Sequence, residues 1–197
     1  MISITLASKS AARAQLLAGA GVVFEAVGSG VDEDAAKVRL LSEDADPRDV
    51  ALALAETKAL VVSTRRPGLV IGADQTLDLD GSLYDKVSTL EDARHRLERL
   101  RGRRHQLHSG VAVARDGEVV WRETQSAALT MRDFSEGYLD AYLARNAEAA
   151  LSSVGCYQLE GEGLQLFERI EGDYFTILGL PMLGLLALLR RERAIAA

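Results

Sequence analysis

The order of apolar and polar positions predicts a chain that begins with alternating strands and helices and ends in antiparallel hairpins. Ile2 to Ala7 is a short apolar run, the pattern of a buried strand. Ser10 is placed to cap a helix from Ala11 to about Ala18, which Gly19 and Gly21 end. Val22 to Gly28 reads as a second strand, and Val31-Asp32-Glu33 leads into a polar helix. From Pro47 to Ser63 the apolar residues Val50, Leu54, Ala55, Val61 and Val62 share one helix face, and Lys58 falls on the same stripe. Leu69 to Ala73 is continuously apolar, as in a strand covered on both faces.

The second half changes period. Leu77 to Gly81 alternates and then turns, and Thr89 caps a helix through Leu100 that Gly102 stops. His108–Ala114 and Val119–Met131 read as strands joined by Asp116-Gly117, a hairpin signal. Ser135 caps a helix to Ala144, and Ser152 to Gly163 is glycine-rich and irregular. Phe167–Ile170 and Tyr174–Ile177 read as short strands, and Pro181 to Arg193 as a terminal helix with a basic end. The expected fold is α/β in the mixed α+β sense: a mixed twisted sheet with helices on both faces.

Length and composition narrow the classes. At 197 residues the chain predicts one domain, 1–197, with room for a pinched waist. It is 48% hydrophobic and 26% charged, close to globular averages, so wholesale disorder is excluded. Twenty-three basic against 29 acidic side chains give a net charge of −6. That balance argues against a duplex-DNA binder, which needs a basic excess, but not against a single nucleotide. The single cysteine, Cys156, excludes an intramolecular disulfide and multi-thiolate zinc sites; it reads as a packed thiol. No secretory signal is visible, and Phe175–Leu189 is broken by Gly179, Pro181 and Gly184 and is short for a membrane span. A soluble cytoplasmic protein is expected.

Four places could carry chemistry. Ser8-Lys9-Ser10-Ala11-Ala12-Arg13 puts hydroxyls and cations at a helix N-terminus, either an anion site or an ordinary cap with solvated basic residues. Asp74 follows a buried strand, where open α/β sheets collect ligands; a turn or cap residue is the plainer alternative. Glu33, after Gly28-Ser29-Gly30, is a third carboxylate or polar candidate whose bland reading is a solvated helix start. Lys58 either snorkels or points into a site, and Lys86 lies in a polar loop where a solvated lysine is the default. Gly155 to Gly161 brackets an aromatic, an amide and the carboxylate of Glu160 in a loop. His105 and His108 lack the companions of a zinc site, His95 looks solvated, and Ser109 has no visible base, so a Ser/His hydrolase has little support. No Gly-x-Gly-x-x-Gly follows the first strand, which removes support for a Rossmann-type oxidoreductase.

Taken in order, these segments resemble the Maf family of nucleoside triphosphate pyrophosphatases from Ile4 to about Leu189. Leu6-Ala7-Ser8-Lys9-Ser10-Ala11-Ala12-Arg13 matches the family's opening pattern with Ala11 in place of proline. Val31-Asp32-Glu33, Leu54-Ala55-Glu56-Thr57-Lys58-Ala59 and Gly72-Ala73-Asp74 match three internal elements. Asp85-Lys86-Val87 stands where the family has Gly-Lys-Pro. Gly102-Arg103-Arg104-His105, Ser109-Gly110, Gly155-Cys156-Tyr157 and Gly179-Leu180-Pro181 follow at fitting spacings, while Ser152-Ser153-Val154-Gly155 replaces Asp-Lys-Ala-Gly.

The resemblance implies a Maf/ITPase-like fold with a cleft for nucleotide, and cleavage of a triphosphate between its α- and β-phosphates. It implies phosphate contacts from Ser8, Ser10, Arg13, Lys58 and Lys86. A Mg²⁺ or Mn²⁺ ion would sit on Glu33 and Asp74, with Asp74 either ligand or base for the attacking water. It implies a homodimer, for which the apolar terminal helix is one candidate contact and a core helix the commoner explanation. Ala12, Gln75 and Glu160 hold the positions that set base preference. Glu160 leans towards a 7-methyl-GTP-like purine, because a carboxylate accepts from adjacent guanine donors, although Ala12 is not the bulky aromatic of that branch. The alternatives are a dTTP/UTP pyrophosphatase and a nucleotide-binding regulator of cell division with little turnover.

Overall fold

The computed structural model describes residues 2–196. Among them, strands and helices follow in the order β1 (Ile4–Ala7), α1 (Ala11–Gly19), β2 (Glu25–Val27), α2 (Glu33–Ser42), α3 (Pro47–Ser63), β3 (Leu69–Leu79), β4 (Ser82–Tyr84) and α4 (Leu90–Leu100). Then come β5 (Arg104–Arg115), β6 (Glu118–Met131), α5 (Glu136–Arg145), α6 (Ala147–Ser152), a 3-10 turn (Glu162–Leu166), β7 (Phe167–Glu171), α7 (Tyr174–Ile177) and α8 (Met182–Arg191). The seven strands form a mixed sheet in the order β2-β1-β3-β5-β6-β7, with β4 paired to β3. The mixed α/β expectation holds.

Helix starts follow local chemistry. Ser10, Asp46, Thr89 and Ser135 each accept a hydrogen bond from the backbone N–H three residues on, as N-caps do. Two-residue Asp-Gly turns join β3 to β4 and β5 to β6. Asp80, Gly81, Asp116 and Gly117 all have positive φ, the conformation that matches the twist of a hairpin.

Three expectations need correction. Tyr174–Ile177, expected as a strand, is a helical turn: Asp173 caps it by accepting from Thr176 N at 2.8 Å, and Gly179 closes it at φ 91°. Only Glu25–Val27 of the second expected strand pairs, against Thr5–Ala7. Asp74 does not follow its strand but lies inside β3, because β3 runs on to Leu79 as one side of a hairpin.

The chain forms two compact units. The first holds the segment ending at Gln75, His108–Ser126 and the segment from Asp173. Here β1 pairs in parallel with β2 and with β3, Leu6 standing opposite Ile71. Alternation along β3 and β5 sends Ile71, Ala73, Val111 and Val113 to one face, where Leu17 of α1 and Leu185, Leu188 and Leu189 of α8 cover them. The other face presents Gly72, Gly110, Ala112 and Ala114 to α3. A Cβ at Gly72 would collide with the backbone at Ala55 and Ala59, and one at Gly110 with the backbone at Ala51 and Leu52. The helix therefore lies with its main chain against the strands.

The second unit, Thr76–Leu107 and Ala127–Gly172, packs Leu97 and Leu100 of α4 with Met131, Phe134, Leu139 and Tyr142, all buried. An Arg94–Asp140 ion pair links α4 to α5.

Gly72→Val should force α3 off the sheet and destabilise the protein by about 2–3 kcal/mol or more. Gly19→Ala, whose new Cβ meets nothing within 4 Å, should change stability by less than about 0.5 kcal/mol. Urea unfolding of the two variants beside wild type checks the contrast, and equal losses would reject the close-approach account.

Candidate active site

The end of β1 and the start of α1 form a tied turn. Ser8 Oγ accepts from Ser10 N at 3.2 Å and from Arg13 Nη1 at 3.3 Å, and Ser10 Oγ caps α1 through Arg13 N at 3.4 Å. The Arg13 guanidinium also donates to Ala73 O at 2.9 Å and, through Nε, to Gly179 O at 2.8 Å. Arg13 is therefore a tie between three segments, not a solvated cation. Burial pulls its pKa below the ordinary arginine value, and the charges of Asp74 and Glu33 pull it back up. Ala12 lies beside it, half-buried on the first turn of α1.

Asp74 is mid-strand, yet it stands at the carboxyl end of the parallel part of the sheet. β1 stops at Ala7, whereas its partner β3 continues, so Asp74 lies three positions beyond the Leu6–Ile71 pair. Gly72 and Asp74 share the face that α3 covers. Lys58 projects from that helix and is 4% exposed, so snorkelling is not its state. Its Nζ donates to Asp74 Oδ1 at 2.6 Å and lies 2.9 Å from Glu33 Oε1. Asp74 is 6% exposed, whereas the Glu33 side chain is 41% exposed in the first turn of α2. Sequence reasoning listed these three residues separately; the structure joins them in one buried-to-surface charge cluster.

The cluster carries one net negative charge, from two carboxylates and one ammonium. No group of three or more His, Cys, Asp or Glu side chains placed to hold a metal is found among the described residues. Two carboxylates with hard oxygen donors are nonetheless the set that Mg²⁺ takes when substrate phosphates and water complete its shell.

Gln75 faces away from Asp74. Its Nε2 donates to Thr176 O at 3.1 Å, Ile177 O at 2.9 Å and Ser109 Oγ at 3.0 Å. Buried Ser109 donates in turn to Thr176 O at 2.7 Å, and Thr176 Oγ1 bridges Asp173 and Gln125. This clamp holds the segment whose Gly179 carbonyl receives Arg13. Sequence reasoning missed Thr176, Asp173 and Gln125; the one available signal was Asp173 as a helix cap. His108 Nδ1 lies 2.7 Å from Ser126 Oγ, a partner the sequence did not suggest.

Lys86 and Glu160 belong to the second unit, and both are exposed. Lys86 is in the loop after β4. Its neighbour Asp85 offers a carbonyl to Arg96 at 2.8 Å, and Arg96 also reaches Val154 O at 2.6 Å. Glu160 stands in the turn before the 3-10 segment. In the core beneath that turn, His105 is 2% exposed, and its Nε2 is 2.7 Å from Tyr157 Oη. Burial pushes His105 down to about 4. Cys156 is buried, and burial pushes its thiol up to about 11, in keeping with a packed side chain.

Comparison with known proteins places this geometry. The family described as Maf-like protein matches residues 3–192. The chain is 63% identical over 192 residues to a nucleoside triphosphate pyrophosphatase of Caulobacter vibrioides, covering 98% of this chain and 96% of that one. It is 49% identical over 195 residues to a 7-methyl-GTP pyrophosphatase of Brucella abortus, covering 98% of each. It is 51% identical over 195 residues to a protein of the same description from Rhizobium meliloti, again covering 98% of each.

Two predictions follow from the charges. Lys58→Met strands a buried carboxylate and should cost about 3–5 kcal/mol, whereas Glu33→Gln at the half-exposed end should cost less than about 1 kcal/mol; denaturant titration at neutral pH compares them. His105 takes up its proton in the unfolded chain near its ordinary 6.5 but in the folded chain only near 4. Stability should therefore fall as pH drops from 6.5 to 4, by about 3 kcal/mol in full. Subtracting the profile of His105→Gln isolates this slope, and matching profiles would mean that His105 titrates normally.

Proposed function

The chain belongs to the Maf-like protein family, and we propose that it cuts nucleoside triphosphates between the α- and β-phosphates, releasing a monophosphate and pyrophosphate. The observation that carries this reading is the buried Lys58 bonded to Asp74 and Glu33, in a chain matched by the family over nearly its whole length. No helix among the described residues is long and apolar enough to cross a membrane, in keeping with a small dissolved substrate.

The chemistry follows from charge. A triphosphate carries about four negative charges, and catalysis must neutralise those that build on the leaving pyrophosphate. Lys58 brings an ammonium already oriented by two carboxylates. Ser8, Ser10 and Arg13 offer hydroxyl and guanidinium donors at the start of α1, and Lys86 adds a mobile charge from its loop. A cluster with one net negative charge would repel a triphosphate by itself. Mg²⁺ or Mn²⁺ held by Asp74 and Glu33 would supply the missing positive charge and polarise the phosphate oxygens. Asp74, kept anionic beside Lys58, either holds that ion or orients the attacking water. Both tasks need its charge.

For the base, the reading centres on Glu160. A carboxylate only accepts hydrogen bonds, and guanine offers N1–H and N2–H side by side. Methylation at N7 makes the purine cationic and strengthens that pairing. Thymine and uracil set one N–H between two carbonyls, which a carboxylate repels. The description of the Brucella and Rhizobium relatives as 7-methyl-GTP pyrophosphatases supports the same lean. Ala12 leaves room beside the helix start. Gln75, with its amide committed to backbone carbonyls, contributes through the segment it clamps. A homodimer is part of the proposal on the family resemblance alone.

The test is pyrophosphate release from 7-methyl-GTP, GTP, dTTP and UTP, after chelation and with Mg²⁺ or Mn²⁺ restored. Activity should need the added ion and favour 7-methyl-GTP. Asp74→Asn should lower turnover by about 10²–10⁴-fold, and Glu160→Gln should shift the profile towards dTTP and UTP. Near wild-type turnover in folded Asp74→Asn would overturn the site. A wild-type preference for pyrimidines would overturn the base assignment.

A further inference from the structure

Two sequence motifs have no part in the phosphate chemistry: the histidine early in β5 and the glycine–aromatic element at 155–157. The structure pairs them across 52 residues. His105 Nε2 and Tyr157 Oη are 2.7 Å apart, and both side chains are buried. Phe167 stands edge-on to the Tyr157 ring, with centroids 4.8 Å apart, and lies 6.0 Å from the His105 ring.

The main chain around Tyr157 is held as closely as its ring. Ser153 Oγ accepts from Tyr157 N at 3.0 Å and donates to Tyr157 O at 2.8 Å. The carbonyl of Cys156 accepts from Tyr142 Oη at 3.2 Å. A Cβ on Gly155 would run into the Tyr157 ring, and one on Gly163 into the backbone of Gln158. Leu159 is buried, and the next residue is Glu160, exposed at the turn. Glu160 is thus carried three residues from an anchored tyrosine, with a buried leucine between them.

Stability alone does not account for this anchor. Phenylalanine and an aliphatic residue would fill the same space without burying polar atoms. His105 Nδ1 is buried without a hydrogen-bond partner, so the arrangement leaves a polar atom unsatisfied for the sake of the bond at Nε2. A hydrogen bond is directional where apolar packing is not, and it fixes the depth and rotation of the Tyr157 ring.

We infer that His105 and Tyr157 are positioning residues for Glu160, and that their hydrogen bond sets the selectivity of the enzyme among bases. The inference rests on the reading of Glu160 as the base-recognising carboxylate. Neither residue touches the substrate in this account; each acts by fixing the turn that presents Glu160. A carboxylate aligned to two neighbouring donors is sensitive to such placement, since displacement by about 1 Å can cost up to about 10²-fold.

The experiment measures kcat and KM for 7-methyl-GTP and UTP in Tyr157→Phe, His105→Leu, His105→Gln, Glu160→Gln and the double variant Tyr157→Phe/Glu160→Gln. Tyr157→Phe keeps the ring and loses the bond. Its ratio of kcat/KM for 7-methyl-GTP over UTP should fall about tenfold or more, mainly through KM for 7-methyl-GTP. His105→Leu should fall likewise, and His105→Gln, which can still bond the phenol, should recover part of the ratio. The double variant should have the same ratio as Glu160→Gln alone, because Tyr157 acts through Glu160. If Glu160→Gln shifts the ratio but folded Tyr157→Phe and His105→Leu do not, the positioning role is wrong and the base reading stands. A uniform loss on both nucleotides that adds to that of Glu160→Gln would make the pair merely structural. If Glu160→Gln itself leaves the ratio unchanged, the base reading fails, and this inference with it. Should Tyr157→Phe not fold, the His105→Leu and His105→Gln comparison decides alone.

Discussion

A lysine ammonium removed from water has to be paired, and much of the first unit is arranged around that requirement. Lys58 reaches Asp74 only because α3 lies with its backbone against β3 and β5, over Gly72 and Gly110. Larger residues there would lift the helix and open the pair. Alanines at 55, 59, 112 and 114 continue the close contact along the helix. A buried ion pair of this kind is no bargain for stability, since apolar residues of similar volume often serve as well. Its presence is better explained by chemistry that needs a fixed charge at the end of a parallel strand pair.

The position of that charge follows from strand length. β1 stops at Ala7, while β3 continues to Leu79 to make a hairpin with β4. Asp74 thereby gains the rigidity of an interior strand residue and the openness of a strand end. Arg13 approaches the same place from the other face, bonded to the carbonyls of Ala73 and Gly179 and to the Ser8 hydroxyl. Its charge is felt by Asp74 and Glu33 although it makes no ion pair with them. Anionic and cationic groups are thus interleaved at short range, an arrangement suited to a substrate that is itself a polyanion carrying a metal ion.

What could be read from the sequence was what is decided locally. Ser10, Thr89 and Ser135 announced their helices because a cap acts three residues away, and Asp116-Gly117 announced its hairpin because two positive φ angles suffice. Tyr174–Ile177 was misread because four apolar residues fit either period, and the cap at Asp173 decided for helix. Ser8, Arg13, Glu33, Lys58 and Asp74 were legible as candidates from residue type and family resemblance. Their joining was not, because it depends on how closely a helix approaches a sheet. The clamp of Gln75 on Thr176 and Ile177, and the bond of His105 to Tyr157, span 101, 102 and 52 residues; no local pattern carries such pairings.

The two units hold their key side chains by different means. In the first, opposite charges fix Lys58, Asp74 and Glu33, and the same charges are available to phosphate and metal. In the second, the bond between His105 and Tyr157 is neutral at physiological pH, since burial holds the imidazole near 4 and raises the phenol above its ordinary range. A charged anchor beneath Glu160 would draw on the carboxylate it was meant to place. A neutral bond sets direction without adding a field, and leaves the carboxylate's full charge for a cationic purine.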